Sequence, residues 1–135
     1  MSDKVFADVL QEVANLVKTK GAKYVLRRLS SLSSEDYAKV EFERLKHEVS
    51  EYFGIEPNTI CEKHSKSDKV YAARVVICSL LSTNTTISQQ RMSKMLNKDA
   101  SQVSKYIKNA LNLDERDPIQ RQIKNAIDKF KWQRQ

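Results

Sequence analysis

Apolar residues recur along most of this chain at steps of three and four, the spacing that gathers them on one face of a helix. The first such run, about Asp3–Lys18, carries Val5, Phe6, Val9, Leu10, Val13, Leu16 and Val17, and Gly21 marks its end. A shorter helix with Tyr24, Val25, Leu29 and Leu32 follows, until Ser30, Ser31, Ser33 and Ser34 break the pattern. Ser33 with Asp36 resembles a capping arrangement for a long helix that runs to about Phe53. Its stripe is Tyr37, Val40, Leu45, Val49, Tyr52 and Phe53, and Gly54 ends it. Pro57 suits the start of a short turn containing Ile60. From Ser67 or Asp68 onward, Val70, Ala72, Ala73, Val75, Val76, Ile77, Cys78, Leu80 and Leu81 leave no polar face. That stretch is expected to be a buried central helix, with residues 74–81 inside. The last helix starts at Asp117 as cap and Pro118 in its first turn, and is lined by Ile119, Ile123, Ile127 and Phe130.

Thr86–Leu113 reads as two short helices joined by a tight turn. Ser88 can cap the first, whose apolar residues are Met92, Met95 and Leu96. Asn97 tolerates a left-handed conformation and so ends it without glycine. Ser101 is the expected cap of the second helix, 101–112, in which Val103, Ile107, Ala110 and Leu111 form one apolar stripe. The opposite face presents Gln102, Lys105, Lys108 and Asn109, with Asp99 the one acid nearby. A short helix, a turn and a second helix with a donor-rich outer face is what major-groove reading by a helix-turn-helix needs. An ordinary helical hairpin in a bundle has the same outline.

Composition bounds these readings. The chain has 135 residues, enough for a core of its own. Only Gly21, Gly54, Pro57 and Pro118 can break helices in the usual way, which argues for an all-α chain of about six to eight helices. No apolar run approaches the ~20 residues of a membrane span, and the M-S-D start lacks an apolar signal segment, so a cytoplasmic location is expected. Cys61 and Cys78 make no disulfide framework. Charge is divided unevenly. Residues 1–60 hold nine Lys/Arg and ten Asp/Glu; residues 61–135 hold fifteen and seven, a net of +8. The positive excess therefore lies with the helix pair, where it favours a polyanion.

These residues carry a resemblance. From about Leu45 to Phe130 the chain is similar to the C-terminal DNA-binding domain of the bacterial replication initiator DnaA. V-S-E-Y-F-G-I at Val49–Ile55 matches the family's V-x-x-Y-F-x-I, and a short turn to Ile60 and a basic loop follow. V-Y-A-A-R at Val70–Arg74 opens an apolar helix where the family also places an arginine. K-D-A-S-Q-V at Lys98–Val103 aligns with the signature R-D-H-[ST]-T-V; Ala100 and Gln102 stand where the family has His and Thr. The tail D-P-I-Q-R-Q-I-K-N-A-I resembles the family's last helix. The resemblance implies a Trp-repressor-like helix-turn-helix over 45–135 and leaves 1–44 as an extra N-terminal helical hairpin. That hairpin is too apolar to stand exposed, and is expected to pack on the following helices or on a second subunit or protein partner. The initiator's ATPase is not expected: two glycines 33 positions apart cannot build a phosphate loop.

Candidate roles follow from side-chain chemistry. Asp99 can accept from a cytosine amino group and Gln102 can pair bidentately with adenine. Lys105, Lys108 and Asn109 extend along the same helix toward bases or phosphates. Lys98 and Ser101 suit phosphate at a helix N-terminus. Lys63, His64 and Lys66 form a loop for the backbone or the minor groove, as in the family. Arg74 either touches phosphate or forms an internal ion pair with Asp68 or Asp99. Cys61 and His64 are three apart but lack two further ligands for zinc, so no metal or cofactor is expected. Cys78 reads as core, His47 as helix surface, and Tyr106 as packed or edge-exposed. No Ser/His/Asp set or carboxylate pair points to catalysis. The expected function is sequence-specific binding of double-stranded DNA in replication or transcription control. The alternative is a helical adaptor for another protein.

Overall fold

A computed structural model of the chain describes residues 34–64 and 67–131, together with Asp8 and Gln11. The two N-terminal helices, the hairpin they were expected to form and Trp132 lie outside these residues. The described residues are all-helical. Five α-helices follow in order: α1 at Ser34–Phe53, α2 at Asp68–Asn84, α3 at Gln89–Leu96, α4 at Ala100–Leu111 and α5 at Pro118–Phe130. A 3-10 turn, Pro57–Cys61, joins α1 to the loop before α2. No described helix is long and apolar enough to cross a membrane.

The core is built around α2, which packs on α1, α4 and α5. Ala72, Ala73, Val75, Val76, Ile77, Cys78 and Leu81 are fully buried, and Val70 and Leu80 nearly so. Only Ser79 interrupts the expected buried run from 74 to 81. Leu45 and Val49 of α1, Ile60, Leu96, Val103 and Ile123 close the cluster. Each fully buried Leu or Ile side chain contributes about 1.5–3 kcal/mol of transfer free energy. Ala38, Phe42 and Ala126 also join the interior; alanines carry little weight in an apolar stripe, and Phe42 lies beside the expected one.

α1 runs unbroken across residues 44 and 45. Its Arg44 is mostly covered and binds two carboxylates of the same helix, Glu41 and Glu48, the second at 2.7 Å. Glu41 is 1% exposed, so its charge requires that partner. A further Arg44 N–H donates to the Phe130 carbonyl at 3.3 Å, tying α1 to the end of α5. The helix stops at Gly54, whose φ of 71° suits glycine. The Gly54 N–H donates to Glu51 O and the Ile55 N–H to Ser50 O, the paired bonds of a Schellman ending.

Candidate nucleic-acid interface

Local signals place α3 and α4. Ser88 Oγ accepts from the Arg91 N–H and starts α3. Asn97 ends it at φ 57° and ψ 44°, the left-handed conformation that asparagine tolerates. Asp99, and not Ser101, is the N-cap position of α4; Ser101 is the second helical residue and is exposed. The reason is the turn. Once Asn97 has reversed the chain, Lys98 and Asp99 suffice to redirect it, and the Gln102 and Val103 N–H groups find the Asp99 carbonyl. The Asp99 side chain makes no capping bond and is exposed at the helix tip.

The turn is fastened to the segment before α2. Asn97 Nδ2 donates to Cys61 O at 3.2 Å and Lys98 Nζ donates to Lys63 O at 2.8 Å. The Cys61 thiol, its pKa raised by burial, donates to Met95 O. Between α4 and this segment lies a cleft of about 380 Å³. Lys63, His64, Arg74, Lys98, Asp99 and Gln102, all expected site residues, line it. Tyr71, Asn97 and Tyr106 complete the lining. Ser101, Lys105, Lys108 and Asn109 are exposed on α4. With 100° between successive residues, Gln102, Lys105 and Asn109 share one face, and Ser101 and Lys108 form the row beside it. Lys66 lies outside the described residues.

Arg74 requires correction. It is 3% exposed, at the floor of the cleft, and its guanidinium is turned inward. Nε donates to Ile60 O at 3.0 Å; one terminal nitrogen donates to Thr59 O at 3.2 Å and Glu62 O at 2.6 Å. A guanidinium engaged with three carbonyls supports the loop and does not reach out to a phosphate. Leu111 is a second correction. Its place in the apolar stripe is real in angle, but α4 ends there and the side chain is 78% exposed.

Tyr71 is the functional candidate that sequence reasoning missed. It accepts from Asn109 Nδ2 at 2.7 Å through its hydroxyl. Its ring meets the edge of Tyr106 at 6.0 Å between centroids, and Tyr106 is 4% exposed. Burial raises the Tyr106 pKa, opposed by the nearby Arg74. The signal was Tyr71's position beside Val70 and Arg74 in a motif valued only for its arginine.

Four of the seven acids of the basic half, Asp114, Glu115, Asp117 and Asp128, lie in or just before α5, while Glu62 and Asp68 flank the loop before α2. Arg116 bonds Asp114 at 3.1 Å and holds its carboxyl below the usual range; Lys124 bonds Glu115 at 2.7 Å with the same effect. Arg91 of α3 pairs with Glu35. Along residues 69–113 the only acid is Asp99, against Lys69, Arg74, Arg91, Lys94, Lys98, Lys105 and Lys108. No group of three or more potential metal ligands gathers among the described residues. Comparison with protein-family models, curated proteins and solved structures finds no match to this chain.

Proposed function

We propose that this chain is a sequence-specific double-stranded DNA-binding protein acting in replication or transcription control. In this reading α3, the turn and α4 form a helix-turn-helix like that of the initiator's C-terminal domain. α4 enters the major groove by its N-terminus, while the Lys63–Lys66 loop holds the backbone or the minor groove. The observation that carries the reading is that Lys63, Asp99 and Gln102 line one cleft, with the exposed Lys105 a turn further along the same face of α4. Asp99 and Gln102 at the tip offer an acceptor and an amide to base edges, and the lysines supply the attraction common to all sequences.

The adaptor reading draws on a different place. Leu111 stands out beside a groove of about 600 Å³ lined in part by Ala110, Leu113 and Ile127. Selection of bound duplexes from a random pool separates the two. DNA reading predicts enrichment of one motif, bound with a steep dependence on salt. An adaptor predicts no enriched motif.

A further inference from the structure

Asn109 is about 14 Å along α4 from Ala100, at ~1.5 Å per residue. The major groove is only about 8.5 Å deep. A helix entering by its N-terminus therefore brings Asp99 and Gln102 to the base edges and leaves Asn109 level with the sugar-phosphate rim. Asn109 is fixed there from behind. Its amide donates to Tyr71 Oη, and the Tyr71 ring rests on the buried Tyr106. Because the tyrosine oxygen accepts from the amide, its own O–H is directed elsewhere, and Asn109 keeps a second N–H to donate.

We propose that Tyr71 and Asn109 form a clamp of neutral donors for one phosphate of the DNA backbone. The clamp rests on the DNA-binding reading above and adds a contact of different kind from the lysines. A lysine at a phosphate displaces a counterion; a neutral hydroxyl and amide do not. The clamp therefore strengthens binding to every duplex equally and leaves the salt dependence unchanged. Pre-orientation matters here: two side chains held by one another and by a buried ring lose little freedom on binding.

The test uses the full chain, a duplex with the selected motif and a random-sequence duplex. Tyr71→Phe and Asn109→Ala should each weaken both duplexes roughly tenfold, as expected for losing a hydrogen bond to a charged group. The slope of log affinity against log salt and the base preferences should stay as in the parent. A second arm leaves the protein intact: single phosphates of the motif duplex are replaced by neutral methylphosphonates. One position should weaken the parent and have little further effect on Tyr71→Phe. The proposal is overturned if Tyr71→Phe binds as the parent does, if its loss is confined to one base position, or if losses from Tyr71→Phe and every methylphosphonate are additive. If the parent shows no duplex binding, the DNA reading itself falls, a result distinct from any of these.

Discussion

Arg74 shows how one side chain sets the geometry around it. Burying a guanidinium is costly unless its donors are satisfied, and here the carbonyls of Thr59, Ile60 and Glu62 satisfy them. The Thr59 carbonyl also accepts the Glu62 N–H within the turn; for the Ile60 and Glu62 carbonyls Arg74 is the donor. Arg74→Ala is expected to destabilise the fold by about 1–3 kcal/mol, the cost of leaving the buried Ile60 carbonyl unpaired. Arg74→Lys should restore only part of this, because an ammonium lacks the fork that spans separate carbonyls. Urea unfolding measures both; an Arg74→Ala midpoint equal to the parent's would mean that these bonds do not hold the turn. The role was not legible in the sequence. Burial of residues 74–81 was expected, but which groups would satisfy the guanidinium was not, because its partners lie 12 to 15 residues upstream. Ser88 and Asp117 were legible because each cap is completed by backbone N–H groups within three residues.

At the scale of elements, the angle between α3 and α4 depends on Asn97. Its left-handed backbone reverses the chain, and its amide anchors the turn to Cys61 O. Two substitutions separate these contributions. Asn97→Ala meets the strain of positive φ and loses the amide, an expected cost of about 1–3 kcal/mol. Asn97→Gly keeps the turn at ease and loses only the anchor, so it should melt closer to the parent. If thermal unfolding ranked glycine below alanine, the backbone conformation would not be what asparagine supplies. The α3–α4 outline was readable because capping, apolar spacing and a left-handed residue are all local signals. The end of α4 was less so. A stripe gives the angle at which Leu111 points but not whether a neighbouring element reaches that far, and among the described residues none covers it. The start moved from Ser101 to Asp99 for a similar reason: both are good caps, and the turn length decided between them.

For the whole molecule, the division of charge is what connects fold to function. α5 and the segment before it carry their own acids, paired with Arg116, Lys124 and Lys131. Among the described residues α4 presents Lys105 and Lys108 with Asp99 the one acid at its tip, on the side where Gln102 stands. The direct measurement is duplex affinity of the parent, Gln102→Ala and Lys63→Ala across a salt series, on the preferred and on scrambled sequences. Gln102→Ala should lose about 1–3 kcal/mol on the preferred duplex and relax preference at one or two positions, with its salt slope kept. Lys63→Ala should weaken all duplexes alike and lower the slope by about one. Parent-like binding of Gln102→Ala and Lys63→Ala to both duplexes at every salt would contradict the account, because neither the α4 tip nor the loop beside it would then touch DNA.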